Sequence, residues 1–477
     1  MAPQRRRSVT RPADRATASD PARLTAYLTM RAVDLGAYAN LELPIQVRQA
    51  RLSTRDAAFA TELCYGTLRM QGLYDAILAV AAARDVSTID PPVLAVLRLG
   101  THQIVNMRVP AHAAVNANVA LARGVVSHGA GGFVNAVLRR VTEREPAEWI
   151  TAVTAEAADP IAALAVEHSH PVWVVRALRA ALLLHAVSTP DSINHDLDEL
   201  LRANNTPGLL TLVARPGLVG DHDLPDATPS PAAPTAWTLR HGDPGAVAAI
   251  RDGSAAVQDA GSQLVALALL GADVENDGGQ WLDLCAGPGG KAGLLAAGAL
   301  QRGAHLRANE VSEHRAELVR HTLRAAVAAG ADLEVTVMDG IQMGEQMPDH
   351  FDRVLVDAPC TGLGALRRRP EARWRRQPSD LTGLAPLQRD LLTSALQATR
   401  PGGVVVYATC SPHVAETTMV VEDVAKSWPN VQIEDVRPLV LARDGSPYAD
   451  LGPGPGGQLW PHLHDTDGMF MALLRRT

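Results

Sequence analysis

Cysteine is scarce in this sequence, and its four residues show none of the paired spacing of a disulfide framework. This usage fits a reducing compartment. Long apolar runs are also missing, since no window approaches the about 18 uninterrupted apolar residues that a membrane span requires. The basic, Pro/Ala/Ser-rich segment 1–20 lacks the apolar core of a secretory signal. We therefore expect a cytoplasmic protein without a membrane segment, whose residues 1–20 form a disordered basic arm.

The charge balance excludes a uniformly basic coat of the kind that wraps nucleic acid. The formal net charge is -7, with 20% charged and 47% hydrophobic residues, which is typical of a globular chain. At about 150 residues per domain, the length of 477 residues predicts about three domains with ample core.

Three regions of different periodicity follow one another along the chain. Residues 21–150 are dense in Ala, Leu, Val and Arg at helical spacing, which predicts an all-helical domain. The pattern weakens over 151–250, which predicts a small α+β connector domain. From 281 to 428, strands and helices alternate, which is typical of a parallel sheet covered on both faces and places an α/β domain at 251–477. Within the connector we expect helices at 168–184 and 191–204, a strand at 209–214 and a loop at 220–236.

Two of the four cysteines stand at corresponding places in the last domain. Asp357-Ala-Pro-Cys360 and Tyr407-Ala-Thr-Cys410-Ser each follow an apolar, β-branched run. Because open α/β sheets bind ligands at the carboxyl ends of their parallel strands, this placement indicates thiol chemistry. The alternative is that both cysteines are small buried apolar residues, as most free cysteines are.

A glycine-rich turn joins an apolar strand to a helix in Gln280-Trp-Leu-Asp-Leu-Cys-Ala-Gly-Pro-Gly-Gly-Lys291. Glycines let the backbone approach a ligand closely, and the N-terminus of the helix, expected at 292–297, favours an acceptor or anionic group. Ala292 stands where a P-loop needs Ser or Thr and where a dinucleotide fingerprint needs glycine. The turn therefore predicts a nucleotide-type cofactor that is bound in neither of these ways.

One acidic residue follows each of three successive predicted strands. Such acids are suitable acceptors for ribose hydroxyls, for an adenine amine and for a cationic centre. The alternative is that they only cap the helices that follow, as Asp often does. The pairs of strand and acid are 305–309 with Glu310, 334–338 with Asp339, and 353–356 with Asp357.

These motifs are specific enough to carry a resemblance. Cys285-Ala-Gly-Pro-Gly-Gly-Lys291, Asp357-Ala-Pro-Cys360-Thr-Gly-Leu-Gly and Ala408-Thr-Cys410-Ser-Pro resemble the Nop/Sun family of RNA cytosine-C5 methyltransferases, which use S-adenosylmethionine. The resemblance runs from about Ala256 to the C-terminus. It includes Val257-Gln258-Asp259-Ala-Gly-Ser-Gln263 before the cofactor strand and Asp467-Gly-Met-Phe-Met-Ala472 at the closing strand.

The N-terminal third adds a second resemblance. Thr61-Glu-Leu-Cys64-Tyr-Gly66-Thr-Leu-Arg69 and Phe133-Val-Asn135-Ala-Val-Leu-Arg139 resemble the NusB type of helical RNA-binding domain. Together, the two resemblances imply a NusB-like domain, the connector and a Rossmann-like class I methyltransferase domain. This is the layout of the ribosomal RNA branch of the family, which implies 16S ribosomal RNA as the first choice of substrate; we expect a monomer.

The chain departs from the family pattern at two places. Gly287 stands where an alanine is usual, and Glu310 replaces the usual aspartate as ribose acceptor. Neither change removes a needed type of atom, so we expect them to alter cofactor affinity rather than activity.

The resemblance also implies a mechanism in which a cysteine adds to C6 of cytosine. It implies Cys410 as this nucleophile, Cys360 as the residue that assists release, and Asp357 as the hydrogen-bond partner of the cytosine edge. His413 and a helix beginning near Val414 are candidates for lowering the pKa of Cys410. The implied cofactor-binding residues are Cys285, Ala286, Gly287, Pro288, Gly289, Gly290, Lys291, Glu310, Asp339 and Asp357.

An arginine run follows the first of the two cysteines. Six arginines and one tryptophan lie within residues 366–377. Such a run is usually a solvated face, but its place after Cys360 and its interleaved tryptophan predict contacts with RNA phosphates and with a base. The predicted RNA-binding residues are Arg367, Arg368, Arg369, Arg373, Trp374, Arg375 and Arg376.

Other interpretations stay open. DNA cytosine methyltransferases carry the nucleophile in a Pro-Cys motif, which would make Cys360 the attacking residue, whereas the Thr-Cys motif and the helical domain favour RNA. A non-catalytic RNA-binding assembly factor that kept the cofactor fold is a second alternative, and transfer RNA is an alternative substrate. Lys291 either supports the site electrostatically or faces solvent. His462, His464 and Asp465 could bind metal, but we expect an ordered loop and no metal, since no fourth ligand is evident.

Overall fold

The computed structural model describes residues 20–220, 223–240 and 242–477. The predicted arm thus lies outside the described residues except for Asp20, which caps the first helix by accepting hydrogen bonds from the backbone N–H groups of Ala22 and Arg23. The described residues fall into two compact units, 20–171 with 369–371 and 172–368 with 372–477. No helix in these described ranges has both the length and the apolar character that crossing a bilayer would need.

The first unit is helical throughout its described secondary structure, as predicted for 21–150. Apolar residues at helical spacing build its core, in which Leu63, Tyr74, Leu97 and Leu138 are fully buried. The predicted boundary at 150 falls inside a helix. The helices are α1 Pro21–Asp34, α2 Ala39–Gln49, α3 Thr54–Arg69, α4 Gln71–Ala82, α5 Pro91–Val105, α6 Ala111–Val125, α7 His128–Val141, α8 Pro146–Thr154 and α9 Pro160–Glu167.

The second unit begins with two helices and a small antiparallel sheet. The helices are α10 Val172–Leu184 and α11 Ile193–Asn205, and the strands are β1 Leu210–Ala214, β2 Ala227–Pro229, β3 Ala236–Leu239 and β4 Ala255–Val257. The sheet order is β2-β3-β1-β4. α10 starts later than the predicted residue 168 because Pro171 disfavours helical geometry at the residue before it. β2 and the first residue of β3, Ala236, lie within the predicted loop 220–236, so that prediction was wrong for four of the described residues.

Strands and helices then alternate, as predicted. The helices are α12 Ala248–Asp252, α13 Ala260–Gly271, α14 Gly290–Arg302, α15 Glu313–Ala328, α16 Met343–Gln346, α17 Ala372–Arg375, α18 Leu381–Ala398, α19 Thr418–Ser427 and α20 Pro461–His464. The strands are β5 Gln280–Asp283, β6 His305–Asn309, β7 Leu333–Thr336, β8 Phe351–Asp357, β9 Thr399–Thr409, β10 Val431–Glu434, β11 Gly457–Gln458 and β12 Phe470–Arg476.

The large sheet has the order β10-β12-β9-β8-β5-β6-β7, with β11 paired to β12. β5 to β9 are mutually parallel, whereas β12 runs antiparallel to β9 and β10 antiparallel to β12. One buried cluster joins the sheet to α13 and α14, and another joins it to α18 and α19. The predicted Rossmann-like fold is therefore confirmed, with a mixed rather than a purely parallel sheet. Its parallel strands bring their carboxyl ends to one edge.

Candidate active site

The glycine turn lies between β5 and α14, at the carboxyl edge of the large sheet. Gly289 has φ +108°, a left-handed conformation, and a Cβ added there would lie 2.8 Å from the Cβ of Thr322. Glycine is therefore required for both conformation and space. The Ala286 N–H donates to the Asn309 carbonyl at 2.8 Å, which fixes the turn against the end of β6. α14 begins at Gly290, two residues before the predicted start, and extends beyond the predicted end.

Two of the three predicted acids lie at this edge in different surroundings. Glu310 is buried and directly follows β6; it accepts hydrogen bonds from the backbone N–H groups of Gly287 and Ser312, both at 3.1 Å. Asp339 is exposed and caps a 3-10 turn by accepting from the Ile341 N–H at 3.1 Å. β7 ends at Thr336 rather than at the predicted residue 338. Both the cofactor and the capping interpretations remain compatible with Asp339.

The third acid, Asp357, is the last residue of β8 and forms an ion pair with Lys291. The Lys291 Nζ lies 2.7 Å from Asp357 Oδ2, and the lysine side chain is only 10% exposed. Lys291 is one of two lysines in the chain. Burial acts to lower the pKa of Lys291, but Asp357, followed by Cys410, raises it above its usual value, so the ammonium form is kept. The solvent-facing interpretation of Lys291 is therefore wrong.

The two cysteines meet at the ends of neighbouring parallel strands. Because Asp357 of β8 is paired with Ala408 of β9, the segments that follow both strands leave the sheet side by side. The Sγ atoms of Cys360 and Cys410 lie 3.4 Å apart. The contact with Cys410, burial, and the nearby carboxylates of Glu416 and Asp357 raise the pKa of the Cys360 thiol well above its usual value.

His413 does not supply the cation that was predicted to lower the pKa of Cys410. Burial lowers the pKa of His413, so its ring is neutral near neutral pH, and its Nδ1 accepts a hydrogen bond from the Ala415 N–H at 3.2 Å. The helix expected near Val414 is a single 3-10 turn of three residues. The ammonium group of Lys291 is the cation whose pKa responds to the Cys410 sulfur.

Asp283, which the sequence analysis did not single out, is a buried acidic residue inside the site. It ends β5 and is 1% exposed, and neither carboxyl oxygen is paired within the described part of the chain. The backbone N–H of Cys285 lies close enough to Asp283 to act to lower the pKa of its carboxyl group, although the two groups do not have the geometry of a hydrogen bond. Burial, followed by the charge of Asp357, raises the pKa of Asp283 to about 8. A carboxyl group within an apolar strand was the available sequence signal.

The arginine run divides into internal and exposed members, which corrects part of the RNA-binding prediction. Arg367 is 3% exposed, and its guanidinium contacts Asp259, Asp465 and Asp467 at 3.3, 2.8 and 3.0 Å. Arg368 shares Asp259 and Asp467 with it. Because these acids already neutralise both guanidinium groups, Arg367 and Arg368 hold the fold together rather than face a phosphate.

Arg373 is the third correction. It is fully buried in α17 and donates to the Asn205 side chain at 2.8 Å and to the Asn204 carbonyl at 3.2 Å. Arg369 is exposed, whereas Trp374, Arg375 and Arg376 are half-buried, so RNA contact remains a prediction for these four. Arg376 also donates to the Cys360 carbonyl at 3.3 Å.

Two of the three residues considered as metal ligands, His464 and Asp465, have other partners. His464 Nδ1 accepts from the Trp460 N–H at 2.8 Å, and its Nε2 lies 3.0 Å from the Ala449 carbonyl, so both ring nitrogens are engaged. Asp465 pairs with Arg367. Over the residues that the structure describes, no group of three or more His, Cys, Asp and Glu side chains is arranged to hold a metal ion.

Comparison with known proteins gives two family matches. Residues 269–475 match the family described as 16S rRNA methyltransferase RsmB/F, and residues 20–143 match the NusB family. A Mycobacterium tuberculosis protein (strain CDC 1551 / Oshkosh), provisionally named methyltransferase MT1451, is 49% identical over 96% of this chain and 97% of its own length. Ribosomal RNA small subunit methyltransferase B of Klebsiella pneumoniae (strain 342) is 30% identical over 89% of this chain and 91% of its own.

A solved structure agrees with the fold over the whole length. The crystal structure of PH0851 covers 96% of this chain and 99% of its own, with a TM-score of 0.76 and 20% sequence identity. At this identity the likeness concerns the fold alone.

Proposed function

Since the chain belongs to the RsmB/F family of 16S rRNA methyltransferases, with a NusB domain preceding the catalytic domain, we propose that it methylates C5 of a cytosine in 16S ribosomal RNA. Family membership makes it an S-adenosylmethionine-dependent enzyme that methylates RNA. The choice of carbon, the covalent route and the 16S target are our proposal. The observation that carries it is the pair of cysteine sulfurs, 3.4 Å apart, beside the ion pair of Lys291 and Asp357.

The residues at the carboxyl edge fit S-adenosylmethionine, which when bound supplies a methyl group on a positively charged sulfur. Gly289 allows the left-handed conformation of the turn and its close approach to Thr322. Within the described residues, the two buried oxygens of Asp283 have no hydrogen-bond partner, and they suit a donor, or a cation that would favour the ionised form. We assign the cofactor to the turn 285–291 with Glu310, Asp339 and Asp357 as further acceptors. Oε1 of Glu310, which accepts from the Ser312 N–H, has a second lone pair left for a hydroxyl, whereas Oε2 faces both the Gly287 N–H and the Arg315 guanidinium, the latter at 3.3 Å.

The chemistry requires a nucleophile because C5 of cytosine is unreactive until a thiolate adds to C6. Addition forms a bond between sulfur and C6 and shifts the π electrons of the C5–C6 bond toward C4 and N3, which makes C5 a nucleophilic enamine carbon. C5 would then take the methyl group, and the electron pair of the broken sulfur–methyl bond would stay on the cofactor's sulfur, which becomes neutral. Loss of the C5 proton to a base then restores the C5–C6 double bond and expels the thiolate. We assign the attack to Cys410 and assistance in release to Cys360.

The charges around the two sulfurs support this division. The ammonium group of Lys291, which interacts with Cys410, favours a thiolate there. Cys360 lies among carboxylates and is buried, which favours its thiol form. The reverse assignment, as in DNA enzymes, would require the thiolate to form in the more negative surroundings. Asp357, with a side chain 30% exposed, is the acceptor that we assign to the cytosine edge.

Bisulfite sequencing of total RNA tests the proposal in cells that lack this protein, because 5-methylcytosine resists conversion. We expect one 16S cytosine to lose its methylation, the wild-type gene to restore it and Cys410→Ala not to restore it. A lost site in transfer RNA would favour the alternative substrate. Restoration by Cys410→Ala would contradict the catalytic role of this residue and favour an assembly factor. We expect the protein to act in the cytoplasm, with its RNA substrate.

A further inference from the structure

Glu416 is a buried carboxylate between the two cysteine-bearing segments, and the chemistry proposed above does not use it. It ends the 3-10 turn that follows Cys410, and its side chain is 0% exposed. Its Oε1 accepts from the Thr361 N–H at 2.8 Å and from Gln388 Nε2 at 3.2 Å, and its Oε2 accepts from the Thr361 hydroxyl. All three partners are donors, which suits a carboxylate because it only accepts.

These contacts join the segment around Cys360 to the segment after Cys410. Thr361 directly follows Cys360, and its hydroxyl also lies 3.1 Å from the Ser411 hydroxyl. Gln388 donates to the carbonyl of Pro359 at 2.8 Å as well as to Glu416. Glu416 therefore holds Cys360 from both sides along the chain, through its neighbour Thr361 and, by way of Gln388, through Pro359.

The two cysteines depend on this carboxylate to different degrees. Cys410 directly follows β9, whose last residues are paired with both β8 and β12. Cys360 lies three residues beyond β8, in a segment without regular secondary structure that continues to Glu371. Loss of Glu416 should thus displace Cys360 much more than Cys410.

Glu416 also places negative charge beside Cys360. The titratable groups that act on Cys360 include Cys410, Glu416 and Asp357, and the buried phenol of Tyr407 also interacts with it. Within the described ranges, no Lys, Arg or His nitrogen forms an ion pair with Glu416, so its charge is not cancelled locally. Arg376 faces the carbonyl oxygen of Cys360, at 3.3 Å, rather than Glu416.

We propose that Glu416 is a positioning residue for Cys360: it holds the Cys360 segment in place for product release and keeps this thiol, rather than that of Cys410, protonated in the free enzyme. The role in release rests on the function proposed above. The effect on the thiol does not, because it is a property of the enzyme without RNA.

Three variants of the full chain separate position from charge. Glu416→Ala removes both the contacts and the charge. Glu416→Gln keeps the shape and can still accept from the Thr361 N–H, but it removes the charge. Asp352→Asn is the matched control, because Asp352 is another buried carboxylate; it accepts from the N–H groups of Gly278 and Gln280 at the opposite end of β8.

The first measurement is the covalent RNA adduct on a denaturing gel, with Cys360→Ala as reference. We expect Glu416→Ala to accumulate the adduct as Cys360→Ala does and to lose turnover about tenfold or more, whereas Glu416→Gln and Asp352→Asn should not accumulate it. If Cys360→Ala accumulates adduct and Glu416→Ala turns over like the wild type, the positioning role is overturned. If Cys360→Ala itself forms no adduct, the function proposed above fails instead.

The second measurement needs no RNA and no activity. The pH dependence of Cys360 alkylation is followed by peptide mass spectrometry in the Cys410→Ala background. We expect Glu416→Gln to lower the midpoint by about one pH unit, and Asp352→Asn to leave it unchanged, because a nearby like charge disfavours the thiolate. An unchanged midpoint in folded Glu416→Gln contradicts the effect of charge, and this variant carries the test if Glu416→Ala does not fold.

Discussion

Gly287 and Glu310 are matched in size across the cofactor turn. The Gly287 N–H donates to Glu310 Oε2 at 3.1 Å, and a Cβ at position 287 would overlap this same oxygen. The two departures from the family pattern therefore compensate each other, because the longer acid occupies the space that the missing methyl group leaves. Because position 287 has no side chain, the Glu310 carboxylate can accept the hydrogen bond from the Gly287 N–H.

The first prediction follows from this match. Gly287→Ala should destabilise the protein by about 1–3 kcal/mol, because the new methyl group meets the buried carboxylate. The double variant Gly287→Ala with Glu310→Asp should recover most of this loss, since the shorter acid restores the usual pair. Thermal unfolding of the wild type, the two single variants and the double variant measures the coupling free energy between positions 287 and 310. Simple additivity would show that the two positions are independent.

The second prediction concerns the internal part of the arginine run. Arg367→Ala should lower the free energy of unfolding by about 3 kcal/mol, because the buried carboxylates of Asp259 and Asp467 lose one of the two guanidinium groups that neutralise them and keep only that of Arg368. Urea denaturation measures this effect. The double variant Arg369→Ala with Arg375→Ala is the comparison, and its free energy of unfolding should be nearly unchanged. Its RNA affinity should depend less on salt: the slope of log K against log salt concentration should fall by about one unit for each lost phosphate contact. An unchanged slope would indicate that this part of the run is a solvated face.

The third prediction separates the two cysteines. Cys410→Ala should form no covalent adduct with RNA and transfer no methyl group. Cys360→Ala should still attack and methylate, then remain attached because release is impaired. A denaturing gel should show a slow band for Cys360→Ala only, and the double variant should show none. A band in Cys410→Ala would reverse the roles, and normal turnover in both single variants would rule out the covalent route.

The fourth prediction concerns pH. Because Asp283 titrates at about 8 in the folded protein against 3.8 as its ordinary value, the folded state holds a proton that the unfolded chain releases. The stabilisation from this group is complete below about pH 4 and is lost as the pH rises through 8. Asp283→Asn should therefore gain stability relative to the wild type between pH 5 and 8, by on the order of 2 kcal/mol. Parallel stability curves for the two proteins would contradict the raised pKa.

The features that the sequence determined by itself are those that depend on near neighbours along the chain. The strand at 305–309 was predicted at its observed bounds, because its alternation of polar residues with Leu306 and Ala308 reflects local propensity and the burial of one face. The need for glycine in the cofactor turn is likewise local. The place of Cys360 and Cys410 at the carboxyl ends of two strands also followed from sequence, since each follows an apolar run of the same pattern. That these strands are neighbours, so that the two thiols meet, came from the structure.

Only the tertiary structure decided which charged side chains are buried in ion pairs and hydrogen bonds and which face the solvent. Arg367 and Arg369 are alike in sequence, yet Arg367 pairs with acids about a hundred residues away while Arg369 is exposed. The ion pair of Lys291 with Asp357 and the hydrogen bond from the Thr361 N–H to Glu416 likewise join residues that are far apart in the sequence. Ion pairing and pKa depend on distance and desolvation in three dimensions, which the order of residues along the chain does not contain.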